Sequence, residues 1–171
     1  DPPGPYLQAQ SDGRWIQIQE RRSASGHIVG TRADITELKR SEAAIKYHAE
    51  HDPLTGLLNR SVLGPRLSEA VSGAVRSGQS GALLVLDLDG FKAVNDTHGH
   101  LFGSRALVEA AGVIRASARE TDVVARFGGD EFAVVAQTVT DAEDVQAFGE
   151  ALVLAFQKSL QVEQRELMVG V

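Results

Sequence analysis

Val123 to Ala136, VVARFGGDEFAVVA, is the stretch around which the chain is built. Two short runs of β-branched and aromatic residues flank Gly128-Gly129. Glycine takes positive φ without steric penalty, so the stretch is predicted to be a hairpin turning on those two residues. Asp130 and Glu131 follow at once, where no large side chain keeps a phosphate away. Acidic residues beside such a turn are ordinarily just solvated. A second acidic strand end, Leu83 to Asp89 (LLVLDLD), changes the balance. Asp87, Asp89 and Asp130 together offer the oxygen ligands that Mg²⁺ prefers, and a pair of metal ions suits phosphoryl or nucleotidyl transfer.

Outward from the hairpin, the pattern predicts helices over about 61–76, 104–118 and 142–159 and strands over 82–88 and 165–171. Leu107, Ala110, Ala111, Ile114 and Ala118 keep helical spacing, as do Val145, Phe148, Leu152, Ala155 and Phe156. Helices alternate with strands around an antiparallel hairpin, so the expected fold is α/β with a mixed central sheet flanked by helices. The 82–88 strand is apolar on both faces and is expected to be central, with Val85 and Asp87 sharing a face.

Composition narrows the function classes. The 171 residues, 43% of them hydrophobic, suffice for one core and an appended fragment. A net charge of −6 argues against a protein that coats nucleic acid, so a small nucleotide is the expected partner rather than a polymer. There is no cysteine, which excludes disulfides and thiolate metal sites and fits a cytoplasmic setting. Apolar runs such as Ala82–Leu86 fall far short of the roughly 20 residues of a membrane span. The start at Asp-Pro-Pro reads as the middle of a longer chain, in which an anchor elsewhere stays open.

Four blocks now stand in order: HDPLTGLLNR (His51–Arg60), DLDGFKAVNDTHGH (Asp87–His100), RETD (Arg119–Asp122) and GGDEF (Gly128–Phe132), the last preceded by Arg126-Phe127. In these the chain resembles the GGDEF, or diguanylate cyclase, family. The resemblance implies an α+β palm similar to class III nucleotide cyclases. It also implies a reaction in which the 3′-hydroxyl of one GTP attacks the α-phosphate of another, twice over, yielding cyclic di-GMP and pyrophosphate. Metal, as Mg²⁺ or Mn²⁺, is then implied at Asp87, the Leu88 carbonyl and Asp130. Asp130, Lys92 and Glu131 are the catalytic candidates, with Asp130 helping to take the hydroxyl proton and Lys92 supplying positive charge.

The nucleotide would be held by Gly90, Phe91, Lys92, Asn95, Ser104 and Gly129. Gly90-Phe91-Lys92 is read as a turn whose N–H groups cradle phosphates, and Asn95 matches the residue that reads the guanine edge. His98 and His100 are read as structural residues in a turn. The family pattern after GH-x-x-G is usually Asp, but here Ser104 follows Gly103. A hydroxyl donates as well as accepts, so ATP becomes an alternative substrate and cyclic GMP-AMP an alternative product. A silent GTP-binding regulatory domain is a further alternative. Arg119 and Asp122, separated from Gly128 by residues 123–127, match the inhibitory site at which the product feeds back. Arginine suits it, because a planar fork binds phosphate and stacks on guanine.

Three segments are expected: 1–35, 36–50 and 51–171. The first contains a loop-like leader, a strand at Trp15–Gln19, a turn at Ser25-Gly26 and a strand at His27–Asp34, a hairpin that resembles the C-terminal end of a PAS sensor domain. Asp34-x-x-Glu37 has capping-box spacing and opens a helix over 36–50, on which Ile35, Leu38, Ile45 and Ala49 occupy a and d positions. That stripe predicts parallel pairing with a second copy. Since each site would hold one nucleotide, a homodimer set by this linker helix is the expected active form. The family's last strand and helix would follow Val171.

Overall fold

The computed structural model describes residues 4–158 and 160–171. Residues 1–3, the opening of the leader, and 159, the expected end of a helix, lie outside the described residues. The chain divides into two compact units, 1–49 and 50–171.

In the first unit β1 (Tyr6–Ala9), β2 (Trp15–Arg22) and β3 (Ile28–Asp34) form an antiparallel sheet in that order. The expectation of a hairpin is corrected to three strands. The leader's Pro and Gly content suggested a loop, yet Tyr6–Ala9 pair with Ile18–Trp15 along the free edge of β2. Register, which composition does not reveal, decides this. Helix α1 (Thr36–Glu50) follows. Its start is held by Thr36, whose N–H and hydroxyl donate to the Asp34 carboxylate at 2.9 and 2.6 Å and whose hydroxyl accepts from the Trp15 N–H at 2.9 Å. The Asp34 carboxylate is therefore engaged by Thr36, two residues on, where capping-box spacing had pointed to Glu37. Those two bonds hold the Asp34 carboxyl below its usual pKa.

The second unit runs β4 (Leu58–Asn59), α2 (Arg60–Ser77), β5 (Ser80–Asp87), α3 (Phe91–His98), α4 (His100–Ser117), β6 (Val123–Gly128), β7 (Glu131–Val139), α5 (Ala142–Phe156), β8 (Leu160–Val162) and β9 (Arg165–Leu167). Its main sheet has the order β4-β6-β7-β5, with β4 and β6 parallel and the other pairs antiparallel. The sheet is mixed and flanked by helices, as expected. Strand β7 shows why both faces must be covered. Phe132 and Val134 join Ile114, Leu152 and Phe156 in the larger core, while Ala133 and Val135 meet Leu63 of α2 on the other side.

Four other expectations are corrected. Strand β5 ends the described sheet rather than lying at its centre, and Leu83 and Val85 are 45% and 69% exposed. Helix α2 packs over β6 and β7, so a groove of about 680 Å³ lined by Val71, Val75 and Leu83 runs between it and β5. Phe91–His98 is helical where a turn was expected, and α4 begins at His100, so His98 and His100 close one helix and open the next. Gly99, at φ +84°, makes the sharp change of direction between them. The expected strand over 165–171 is three residues long and pairs with β8 instead of the main sheet. Finally, β6 runs through Gly128 and pairs it with Glu131, so the turn consists of Gly129-Asp130. A register shift between Arg126 and Gly128 absorbs the extra residue.

Candidate active site

The site is assembled at the C-terminal end of β5. Asp87, its last residue, pairs in register with Glu131, the first of β7. One residue on, the Leu88 N–H donates to the Asp130 carbonyl at 3.3 Å. Two carboxylate-bearing strand ends, 43 positions apart in the case of Asp87 and Asp130, are thereby placed side by side. Asp87, Asp89 and Glu131 are exposed, and Asp130 is half-buried. Leu88 directs its side chain into the core at 2% exposure, so its backbone is what faces the acidic cluster.

Moving the turn to Gly129-Asp130 alters the reading of the hairpin tip. Gly129 has φ +56° at the first central position, and Asp130 is not in the left-handed region, the sign pattern of a type II′ turn. Asp130 is then a turn residue, fixed by backbone bonds on both sides. The Leu88 N–H holds its own carbonyl, and Arg126 holds the carbonyl of Gly129 through Nε at 3.0 Å and Nη2 at 2.7 Å. The remaining Nη1 of Arg126 reaches Asp52 Oδ1 at 2.9 Å. Asp52 also accepts from the N–H and hydroxyl of Thr55 at 2.9 and 2.7 Å. Burial tends to raise the Asp52 pKa, but these Thr55 bonds and the Arg126 charge prevail and hold it below the usual carboxylate value. Arg126 and Asp52 were quoted in the sequence motifs without a role. An arginine two positions ahead of the Gly-Gly pair and the Asp-x-x-Thr spacing were the available signals.

Gly90, at φ +68°, caps α3, and its carbonyl accepts from Ala93 and Val94. The proposed phosphate cradle is accordingly the first turn of a helix, where backbone donors and the helix dipole favour an anion. Phe91 is 7% exposed with its side chain packed in the core, and its N–H donates to the Leu88 carbonyl at 3.3 Å. Its part is to anchor α3 under the site. Lys92 is exposed one residue later. Asn95 on α3 and Ser104 on α4 are both half-buried, and the two helices are joined by the Gly99 N–H bond to the Asn95 carbonyl at 2.8 Å.

Arg119 and Asp122 lie in the turn just before β6, at the end away from the hairpin tip. Asp122 is 5% exposed, with Oδ2 accepting the Arg119 N–H at 2.9 Å and Oδ1 buried without a partner among the described residues. The Arg119 side chain is bonded to the Thr138 carbonyl at 2.9 Å and to Asp144 at 3.1 Å. A cavity of about 490 Å³ beside Asp122 is lined by Arg66, Arg115 and Glu120 as well.

The donors at Asp87, Leu88 and Asp130 are all hard oxygens, the chemistry that a divalent cation such as Mg²⁺ or Mn²⁺ takes. No group of three or more His, Cys, Asp or Glu side chains suited to a metal occurs among the described residues. The expected set needs only two carboxylates and a carbonyl, so the residues fit it. No helix among the described residues is long and apolar enough to cross a membrane.

The profile described as "Diguanylate cyclase, GGDEF domain" matches residues 49–171. An uncharacterized signaling protein of Caulobacter vibrioides is 46% identical over 115 residues, 67% of this chain and 14% of that protein. The bifunctional diguanylate cyclase/cyclic di-GMP phosphodiesterase MucR of Pseudomonas aeruginosa is 40% identical over 135 residues, 79% of this chain and 20% of MucR. The chain thus spans a fifth or less of the length of these relatives. Among solved structures, the coiled coil and GGDEF domain of DgcB from Caulobacter crescentus, in complex with c-di-GMP, superimposes with a TM-score of 0.71 at 28% identity, covering 80% of this chain and 73% of that one.

Proposed function

The chain belongs to the GGDEF family of diguanylate cyclase domains, and we propose that it condenses two molecules of GTP into cyclic di-GMP with release of pyrophosphate. The observation that carries this reading is the union of β5 and the hairpin tip: Asp87 registers with Glu131, and the Leu88 N–H binds the Asp130 carbonyl. Asp87, the Leu88 carbonyl and Asp130 would hold the divalent cation. When bound, that cation sharpens the attacking hydroxyl and offsets charge on the leaving phosphates. Asp130, on a turn tied at both neighbouring carbonyls, is placed to accept the 3′-hydroxyl proton, and Glu131 stands beside it. Lys92 and the first turn of α3 supply positive potential to the phosphates. Asn95 and Ser104 face the base.

Two nucleotides must meet, so the reading needs a second subunit. Helix α1 exposes Leu38 at 55% and Ile45 at 69%, two positions of the expected pairing stripe. The similar DgcB structure contains a coiled coil. We assign to α1 the role of pairing two copies under control of the PAS-like first segment. Arg119 and Asp122 are assigned to product feedback, in keeping with the relative solved with c-di-GMP.

Ser104 favours a second product. Its hydroxyl can donate to adenine where a carboxylate cannot, so mixed cyclic GMP-AMP is expected when ATP is present. The test is mass-spectrometric product analysis with Mg²⁺ and GTP, ATP, or both, on wild type and Asp130→Asn. Cyclic di-GMP from wild type, lost in the variant, supports the reading. No product from a confirmed dimer overturns it in favour of a regulatory nucleotide-binding domain.

A further inference from the structure

We propose that Gly103 is a positioning residue for base recognition: having no side chain, it leaves the space in which the Asn95 carboxamide lies. This rests on the reading that Asn95 faces the base. A Cβ built on Gly103 would overlap Asn95 Oδ1 and stand 3.0 Å from Asn95 Cγ and 3.3 Å from Phe91 Cζ. The carboxamide is therefore seated directly against the backbone that leads into Ser104. Two base-reading candidates from separate helices are brought together by the missing side chain.

The way such a collision would resolve follows from the neighbours. Phe91 is core-packed at 7% exposure and has nowhere to go. The backbones are tied in series, Gly99 N–H to the Asn95 carbonyl at 2.8 Å and Gly103 N–H to the Gly99 carbonyl at 3.1 Å, which holds the two helices in place. What can yield is the Asn95 side chain, which is half-buried rather than packed in the core and can reach another staggered rotamer. A methyl group at 103 would thus re-aim the carboxamide while leaving most of the fold in place.

Helix α4 supplies its own control. Gly112 lies in the same helix, with no neighbour within 4 Å of its would-be Cβ. Glycine is a poor residue inside a helix, and at 112 alanine fits without contact. At 103 the glycine has a steric reason.

The experiment compares the whole chain as wild type, Gly103→Ala, Gly112→Ala, Asn95→Ala and the Asn95→Ala/Gly103→Ala double variant. It measures competition of GTP and of ITP, which lacks the 2-amino group, against a fluorescent GTP analogue in Mg²⁺, together with thermal melting. Gly103→Ala should lose the preference for GTP over ITP by about tenfold, the worth of one hydrogen-bonded base contact, while Gly112→Ala keeps it. The double variant should melt above Gly103→Ala and discriminate no worse than Asn95→Ala. Retention of the GTP preference by Gly103→Ala, where Asn95→Ala loses it, overturns the proposal. So does a double variant that melts as low as Gly103→Ala, because the collision would then be with Phe91, and this outcome can be read without any activity. A full GTP preference in Asn95→Ala removes the reading of Asn95 itself, and the proposal with it.

Discussion

At the scale of single residues, Arg126 is the side chain on which the proposed catalytic geometry depends most. Three of its donors are used, two on the Gly129 carbonyl and one on Asp52, and its side chain is 11% exposed against 18% for Asp52. Removing it leaves the Gly129 carbonyl without those donors and Asp52 without its cation. Arg126→Ala is expected to destabilise by about 2 kcal/mol, a partly buried pair broken from one side. Turnover should fall at least tenfold, since the Asp130 turn loses one of its two ties. Denaturant melts and initial rates on the same preparation check both. Turnover per folded molecule that falls by much less than tenfold would assign Arg126 to folding alone. The companion prediction concerns pH. The folded Asp52 carboxyl titrates below its ordinary value of 3.8, so it contributes stability that is complete above that value and is lost as pH falls through the depressed one. The stability gap between wild type and Asp52→Asn should be constant from pH 7 to about 5 and close below about pH 4. A gap that does not narrow as pH falls below about 4 would contradict it.

Among the elements, the β8–β9 hairpin carries visible strain. Its two turn residues, Glu163 and Gln164, have φ of +51° and +66°, the signs a type I′ turn demands and ones that side chains resist. Glu163 forms an ion pair with Arg105 of α4 and so has a compensating contact. Gln164→Gly should therefore stabilise by about 0.5–1 kcal/mol, raising the melting temperature by a few degrees with no effect on turnover. A lower melting temperature would mean that the flexibility given to the unfolded chain outweighs the strain relieved. The elements also show how far local pattern could be read. Periodicity located α2, α4 and α5 because each buries one regular face, and the β6–β7 hairpin was legible from β-branched runs on either side of Gly128-Gly129. It missed α3, whose eight residues hold only Phe91 and Val94 as buried anchors between two positive-φ glycines. It missed β1 because four exposed residues show no amphipathic alternation, and their strand state comes from pairing with β2.

For the whole molecule, the assembly follows from the proposed chemistry: one site per chain and two nucleotides per product. Leu38→Glu with Ile45→Glu places like charges on the exposed stripe of α1. These residues lie outside the described cores, so the melting temperature should change little while the dimer dissociates. Sedimentation and rate measured across protein concentration should show both self-association and specific activity falling together. Full activity in a strictly monomeric variant would refute the role of α1. The four motif blocks, the two acidic strand ends and the apolar periodicities were properties of the chain alone. They sufficed for the family, the mixed α/β fold and the candidate residues, because chemistry of this kind needs particular side chains at short, fixed spacings. The turn at Gly129-Asp130, the exposed edge of β5, the grip of Arg126 on Asp52 across 74 positions and the emptiness that Gly103 leaves for Asn95 belonged to the tertiary structure. Each depends on strand register or on space between residues distant in sequence, and neither is encoded in any local window of the chain.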